Sequence, residues 1–184
     1  GSTSVSATYG SAMPTITVPT RSGYTFGGYY TSTGGSGTQY YTAAGASART
    51  WNIANNTTLY AKWTANKYTV TLNLQSGSGG STSVSATYGS AMPAITKPSR
   101  SYTVTFNGNG GSAGSSSLTS TYTFGGYYSG STQYYTASGA SARVWDKASA
   151  TTLTASWSGS AITLPSATRS GYTFNGWYTA ASGG

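Results

Sequence analysis

The side chains best equipped to do chemistry in this chain are aromatic, and they come in adjacent pairs: Tyr29-Tyr30, Tyr40-Tyr41, Tyr127-Tyr128, Tyr134-Tyr135 and Trp177-Tyr178. Neighbours in a strand point to opposite faces, so each pair is expected to place one ring in a core and one outside. An outer ring would stack on a sugar or pack against the next unit, because Tyr and Trp bury large areas with few rotatable bonds and keep a polar handle. Core and cross-strand packing is the plainer reading of the same pairs. Catalysis has little to work with. The sequence holds no His and no Cys, which removes the usual general base, the thiol nucleophile and the common zinc ligands. Asp146 is the single acid, so neither a two-carboxylate glycosidase nor a calcium cage can be built. A Ser–Lys dyad would have to use Lys62, Lys67 or Lys97, and no nucleophile motif marks one; solvated lysines account for them. The expectation is a protein that is not an enzyme and carries no cofactor or metal.

Two other motifs dissolve on inspection. Gly77-Ser78-Gly79-Gly80 has no following G-K-[ST] and no strand-to-helix setting, so it reads as a hairpin turn and not a phosphate loop. Asn55-Asn56-Thr57-Thr58 contains overlapping glycosylation sequons and reads as a polar turn before a strand.

The chain carries nine Lys and Arg among 184 residues and a net charge of +8. These basic residues are scattered from Arg21 to Arg169 and form no run, which argues against a nucleic-acid face. Acidic or cell-wall polysaccharide is a compatible partner, beside the plain reading of solvated surface charge. Absence of Cys is compatible with an oxidising exterior. No apolar stretch approaches the roughly 18 residues of a membrane span, so membrane insertion is not expected. No signal peptide is visible, and the chain opens in mid-repeat, as a piece of something longer would.

The elements that must position the aromatic pairs are repeated. Ser2 to Pro14 returns letter for letter as Ser81 to Pro93, an offset of 79 residues. Such a period marks a tandem array, which supplies length and surface more often than a pocket. Tyr68-Thr69-Val70-Thr71-Leu72-Asn73 alternates in the manner of a half-buried strand, and Tyr102-Thr103-Val104-Thr105-Phe106-Asn107 echoes it. A Gly-rich turn follows each, then a second alternating strand such as Ser83 to Tyr88. After a basic corner at Arg21 stands Gly23-Tyr24-Thr25-Phe26-Gly27-Gly28-Tyr29-Tyr30, echoed from Tyr122 and again from Gly171. Thr57 to Trp63 closes the unit and is matched by Thr151 to Trp157. Gly45–Trp51 and its echo Gly139–Trp145 are the only helix candidates, at most one short helix per unit.

The copies are uneven. The sequence divides into a first repeat over 1–65 that lacks its opening strand, the opening half of a second over 66–100, a third over 101–158 with an internal segment missing, and a partial fourth over 159–184. Two explanations are open: degenerate copies whose neighbours donate strands, or pieces of a longer repeat protein joined across missing stretches. The expense of deleting core strands favours the latter.

The blocks Tyr102 to Gly111, Thr20 to Tyr30, Thr57 to Trp63 and Thr168 to Tyr178, taken in order, resemble the Listeria–Bacteroides repeat, also called the internalin B-repeat. The resemblance covers nearly the whole chain in pieces. It implies tandem β-grasp-like units in a bacterial surface or secreted protein, serving as spacer, adhesin stalk or assembly module. This chain departs from the family in its 79-residue unit, its inserted Gly34 to Tyr41 region and its scarcity of acids. The expected fold is thus mostly β, in tandem β-grasp-like units. The expected role is an extracellular, cell-surface fibre built by self-association of units through strand pairing and aromatic packing, with an adhesin for host or cell-wall polysaccharide as the alternative.

Overall fold

Strands account for nearly all the regular structure in the computed structural model, which describes residues 1–181. In chain order they are β1 (Tyr24–Tyr30), β2 (Gln39–Tyr41), β3 (Tyr60–Ala65), β4 (Lys67–Asn73), β5 (Ser83–Thr87), β6 (Arg100–Thr105), β7 (Ser117–Ser129), β8 (Thr132–Tyr135) and β9 (Thr151–Gly159). They form two sheets. One has the order β2-β1-β3; the other runs β5-β4-β9-β7-β6, with β8 also paired to β7.

No α-helix occurs among the described residues, so both helix candidates are corrected. Gly45–Trp51 is instead a hook of turns and bridges, in which Ala48 N–H donates to the Tyr40 carbonyl at 2.9 Å and Trp51 N–H donates to that of Ser11 at 2.8 Å. Those donors are taken by distant backbone, which leaves no i→i−4 ladder to start. The echo behaves alike, with Ala142 N–H on the Tyr134 carbonyl at 2.9 Å.

The chain divides into two compact units. The first comprises residues 1–70, 85–93 and 143–151. Its core gathers Met13, Tyr40, Tyr41 and Trp51, with Ala7, Ile16, Tyr29, Ile53 and Leu59 partly buried against it. Strand β1 carries a bulge between Phe26 and Tyr29 where it pairs with β3. Glycine is required there: Gly28 has φ +111°, and a Cβ on it would lie 2.2 Å from the Tyr41 carbonyl oxygen. The bulge turns Tyr29 onto Tyr41, ring centroids 6.1 Å apart.

The second unit comprises residues 71–84, 94–142 and the chain from 152 onward. It repeats the same local geometry. Tyr127 meets Tyr135 at 6.1 Å, and Phe124 meets Trp157 at 5.5 Å, as Phe26 meets Trp63 at 5.5 Å in the first unit. The long strand β7 pairs with β6 along its first half and with β8 and β9 along its second. It runs unbroken through Thr121–Tyr122, where the sequence reading finds a missing segment. Arg100 pairs with Tyr122, as Arg21 bridges to Tyr24 in the first repeat. The first repeat makes that step through Ser22 and Gly23 alone, whereas the later one runs out through the β6–β7 hairpin and back. Strands β4 and β9, read from sequence as parts of different repeats, are neighbours in one sheet.

Candidate functional site

The buried tyrosines are held by backbone as much as by packing. In the first unit Tyr41 O–H donates to the Pro14 carbonyl at 2.8 Å, and Tyr40 O–H donates to Asn52 Oδ1. Trp51 covers the Tyr40 ring at 4.9 Å. Burial pushes the Tyr41 phenol above its ordinary value. In the second unit the Tyr127 hydroxyl is sealed from solvent with no hydrogen-bond partner, and burial pushes its pKa up to about 12. Tyr135 is likewise raised to about 12, by burial first and by its neighbour Tyr127 second.

These positions correct the expectation that each aromatic pair splits between core and surface. Both rings of Tyr40-Tyr41 and both rings of Tyr134-Tyr135 are buried. The strands bearing them are short; in the first unit the hook that follows, 42–51, brings Trp51 over the Tyr40 ring, and in the second the hook after β8 pairs back on it through Ala142 N–H and the Tyr134 carbonyl. None of these four rings, nor Tyr127, can reach a sugar or another chain. Tyr29, Tyr30 and Tyr128 are half-buried, and Trp177 is half-buried beside an exposed Tyr178. Trp177 rests on Phe106 at 4.6 Å and donates its indole N–H to the Pro165 carbonyl at 2.7 Å.

Apart from Tyr178, exposed aromatic surface lies at residues the pair rule does not single out. Tyr9, Tyr102 and Tyr172 are exposed, Tyr172 at 68%. Arg169 lies over the Tyr172 ring at 4.2 Å, and Arg100 over Tyr122 at 4.6 Å. Asp146 pairs with Arg143 at 2.6 Å on the surface.

Two features of the backbone stand out. The first is the edge strand β6. Cross-strand partners share a face, so the pairs Tyr102↔Ser120 and Val104↔Leu118 lie on one face of the β6–β7 ribbon, and Thr103↔Thr119 and Thr105↔Ser117 lie on the other. One face therefore carries Tyr102, Val104 and Leu118 beside Ser120 and Arg100, and the other is all hydroxyl, with Thr103 and Thr119 joined at 3.2 Å. Tyr102 and Val104 are both exposed. Beyond Arg100, β6 carries no charge and no proline.

The second is a groove of about 830 Å³ in the first unit. Its walls are residues 2–7 and 55–59; its floor is Met13, Ile16, Tyr29, Tyr41 and Trp51. No charged residue lines it. Along its wall Ser4–Thr8 forms no strand, although the identical sequence Ser83–Thr87 is β5.

Comparison with protein families matches the chain to the Listeria-Bacteroides repeat domain over residues 1–62 and 134–184, more than half of the chain. Neither the curated proteins nor the solved structures contain a match to it.

Proposed function

The chain belongs to the Listeria–Bacteroides repeat family, and from that premise we propose that it is a structural module of a bacterial surface fibre, built by strand pairing and aromatic packing between units. The family points to an extracellular repeat domain. Assembly as the role of this one is carried by a single observation, the edge strand β6. It is solvent-exposed along nearly its whole length, presents Tyr102 and Val104, and lacks the lysines and prolines that normally guard such an edge. A protein selected to stay monomeric would blunt it.

The repeat in this reading is a β-grasp-like unit of about 79 residues. The second copy is one repeat, drawn from 66–100 and 122–158, interrupted by the hairpin over residues 101–121. The pairing Arg100↔Tyr122, standing where Arg21↔Tyr24 stands in the first copy, supports that register. With no His, no Cys and Asp146 the one acid, an enzymatic role has no chemistry to rest on.

Negative-stain electron microscopy of the purified chain, raised through the micromolar range, tests the proposal. Filaments with a regular axial repeat are expected, and the substitution Val104→Lys should abolish them. Discrete particles at every concentration would sink it. The adhesin reading keeps one specific support, the exposed Tyr172 under Arg169 and the exposed Tyr178 near it in sequence. Discrete particles that bind acidic glycans, with affinity lost in Tyr172→Ala, would install that reading instead.

A further inference from the structure

The two copies are unequal, and the inequality specifies a binding site. In the second copy, β4 lies between β5 and β9. Its inward residues are sealed: Val70 is 0% exposed and Leu72 is 3%. The flanking strands are sealed too, with Ala86 and Leu153 both at 0%. The first copy has the counterparts of β5 and β9, namely Ser4–Thr8 and Thr57–Ala65, but no strand lies between them. The groove occupies that place. Ala7 and Leu59, which match Ala86 and Leu153, are only partly buried, and β3 is hydrogen-bonded to a strand on one side alone.

Strand β6 has the reverse defect. Tyr102-Thr103-Val104-Thr105-Phe106 matches Tyr68-Thr69-Val70-Thr71-Leu72, and Ser117 to Tyr122 matches Ser83 to Tyr88. So the hairpin is an opening pair like β4–β5. On the side where β4 receives β9, however, β6 has no strand among the described residues, and Val104 is 43% exposed where Val70 is sealed.

We infer that the groove of the first unit is an acceptor for an extended strand, and that its occupant is the Tyr102–Thr105 segment of a second copy, whose free edge pairs with β3. This deepens the fibre reading and rests on it. An acceptor at one place and a donor at another make a heterologous, head-to-tail contact, the kind that propagates into a filament unless its rotation closes a ring. Main-chain hydrogen bonds supply affinity, and alternate side chains supply register, as in other strand additions. Tyr102 and Val104 enter over Leu59 and Tyr29, on the face where Tyr68 and Val70 lie in β4. Neither the groove nor residues 101–107 carries a charge, so two chains of net charge +8 meet there without local repulsion. Segment Ser4–Thr8 has no strand partner and yields to Ser117–Thr121 of the incoming hairpin, its sequence match.

The test uses the whole chain and a synthetic peptide of residues 101–107. The peptide should bind, and hydrogen exchange at Tyr60–Ala65 should slow. A peptide carrying Val104→Lys should bind at least about tenfold more weakly, because one central anchor is lost. The whole chain with Val104→Lys keeps its acceptor, so it should bind wild-type peptide while failing to self-associate; the site is an exposed strand, so folding is spared. The chain with Leu59→Lys should do neither. No binding of the wild-type peptide, or equal binding of the Val104→Lys peptide, overturns the inference. Filaments that persist in the Val104→Lys chain also overturn it, yet leave the fibre reading standing. Peptide binding by a wild-type chain that stays monomeric at all concentrations overturns the second copy as occupant, and the fibre reading with it.

Discussion

Replacing Tyr127 by Phe and Tyr41 by Phe makes the same chemical change at two buried tyrosines, and the structure assigns the two opposite signs. Tyr127 has a sealed hydroxyl with no partner. A buried polar group left unsatisfied costs about 1–3 kcal/mol, whereas removing it without changing shape is neutral or stabilising. Tyr127→Phe keeps the ring contacts to Phe124 at 5.1 Å and Tyr135 at 6.1 Å, so a gain of about 1 kcal/mol is expected. For a chain of this length that raises Tm by roughly 2–4 °C. Tyr41→Phe removes the 2.8 Å bond to the Pro14 carbonyl and strands that oxygen, so a loss of about 1 kcal/mol and a similar fall in Tm are expected. Alkaline pH sharpens the contrast. Tyr127 and Tyr135 ionise near 12 when folded, against an ordinary 10. A raised pKa gives stability that is fully present below pH 10 and is lost as pH climbs from 10 to 12, because the unfolded chain ionises first. At about 1.36 kcal/mol per pKa unit, each such tyrosine accounts for on the order of 2–3 kcal/mol of that loss. Tyr127→Phe removes its own share and trims that of Tyr135, since Tyr127 is part of what raises Tyr135. Thermal melts by near-ultraviolet circular dichroism at pH 7 and at steps from pH 10 to 12 read both effects. Destabilisation by Tyr127→Phe at pH 7, or an unchanged fall of stability between pH 10 and 12, would refute the reasoning.

Further outcomes follow from the backbone. Gly126→Ala places a Cβ 2.2 Å from the Tyr135 carbonyl at φ +117° and should cost more than about 2 kcal/mol in urea unfolding, with Gly28→Ala behaving alike; a loss under about half a kcal/mol would show the bulges to be adaptable. Replacing residues 101–121 by Ser-Gly, the link the first repeat uses, should preserve the β5-β4-β9-β7 order and with it the hydrogen bond from Trp157 Nε1–H to the Leu74 carbonyl, now 3.0 Å. Loss of the slowly exchanging Trp157 indole proton would mean that the hairpin is integral to the repeat. The same excision removes the proposed donor strand, so the strand-addition proposal expects sedimentation to find this variant monomeric at concentrations where the intact chain sediments as larger species.

The sequence by itself determined the parts. Alternation placed β4 over Tyr68 to Asn73 and β6 over Tyr102 onward, whereas Tyr24 to Tyr30 was legible only as a recurring block, and the structure makes it β1. Which face of β4 turns inward was also legible, since Tyr, Val and Leu share one side. That the sequence holds no His, no Cys and a single acid is composition alone. Burial was not legible in the same way. Tyr40 and Tyr41 alternate as strand residues must, yet both are buried, because a hook later in the chain brings Trp51 over the Tyr40 ring. Tyr172 belongs to a block copied from the first repeat, and nothing local distinguishes its exposure from the half-burial of Tyr24.

The candidate site was beyond the sequence for a deeper reason. Ser4–Thr8 and Ser83–Thr87 are identical in every residue, and one is unpaired while the other is a strand. Val70 and Val104 sit in near-identical segments, and one is sealed while the other faces solvent. A strand's hydrogen bonds and the cover over its apolar face both come from residues distant in sequence. Local sequence therefore fixes what a segment is able to become, and the presence or absence of a neighbour, which only the tertiary structure supplies, decides whether it is a finished strand, an empty slot or an unpaired edge.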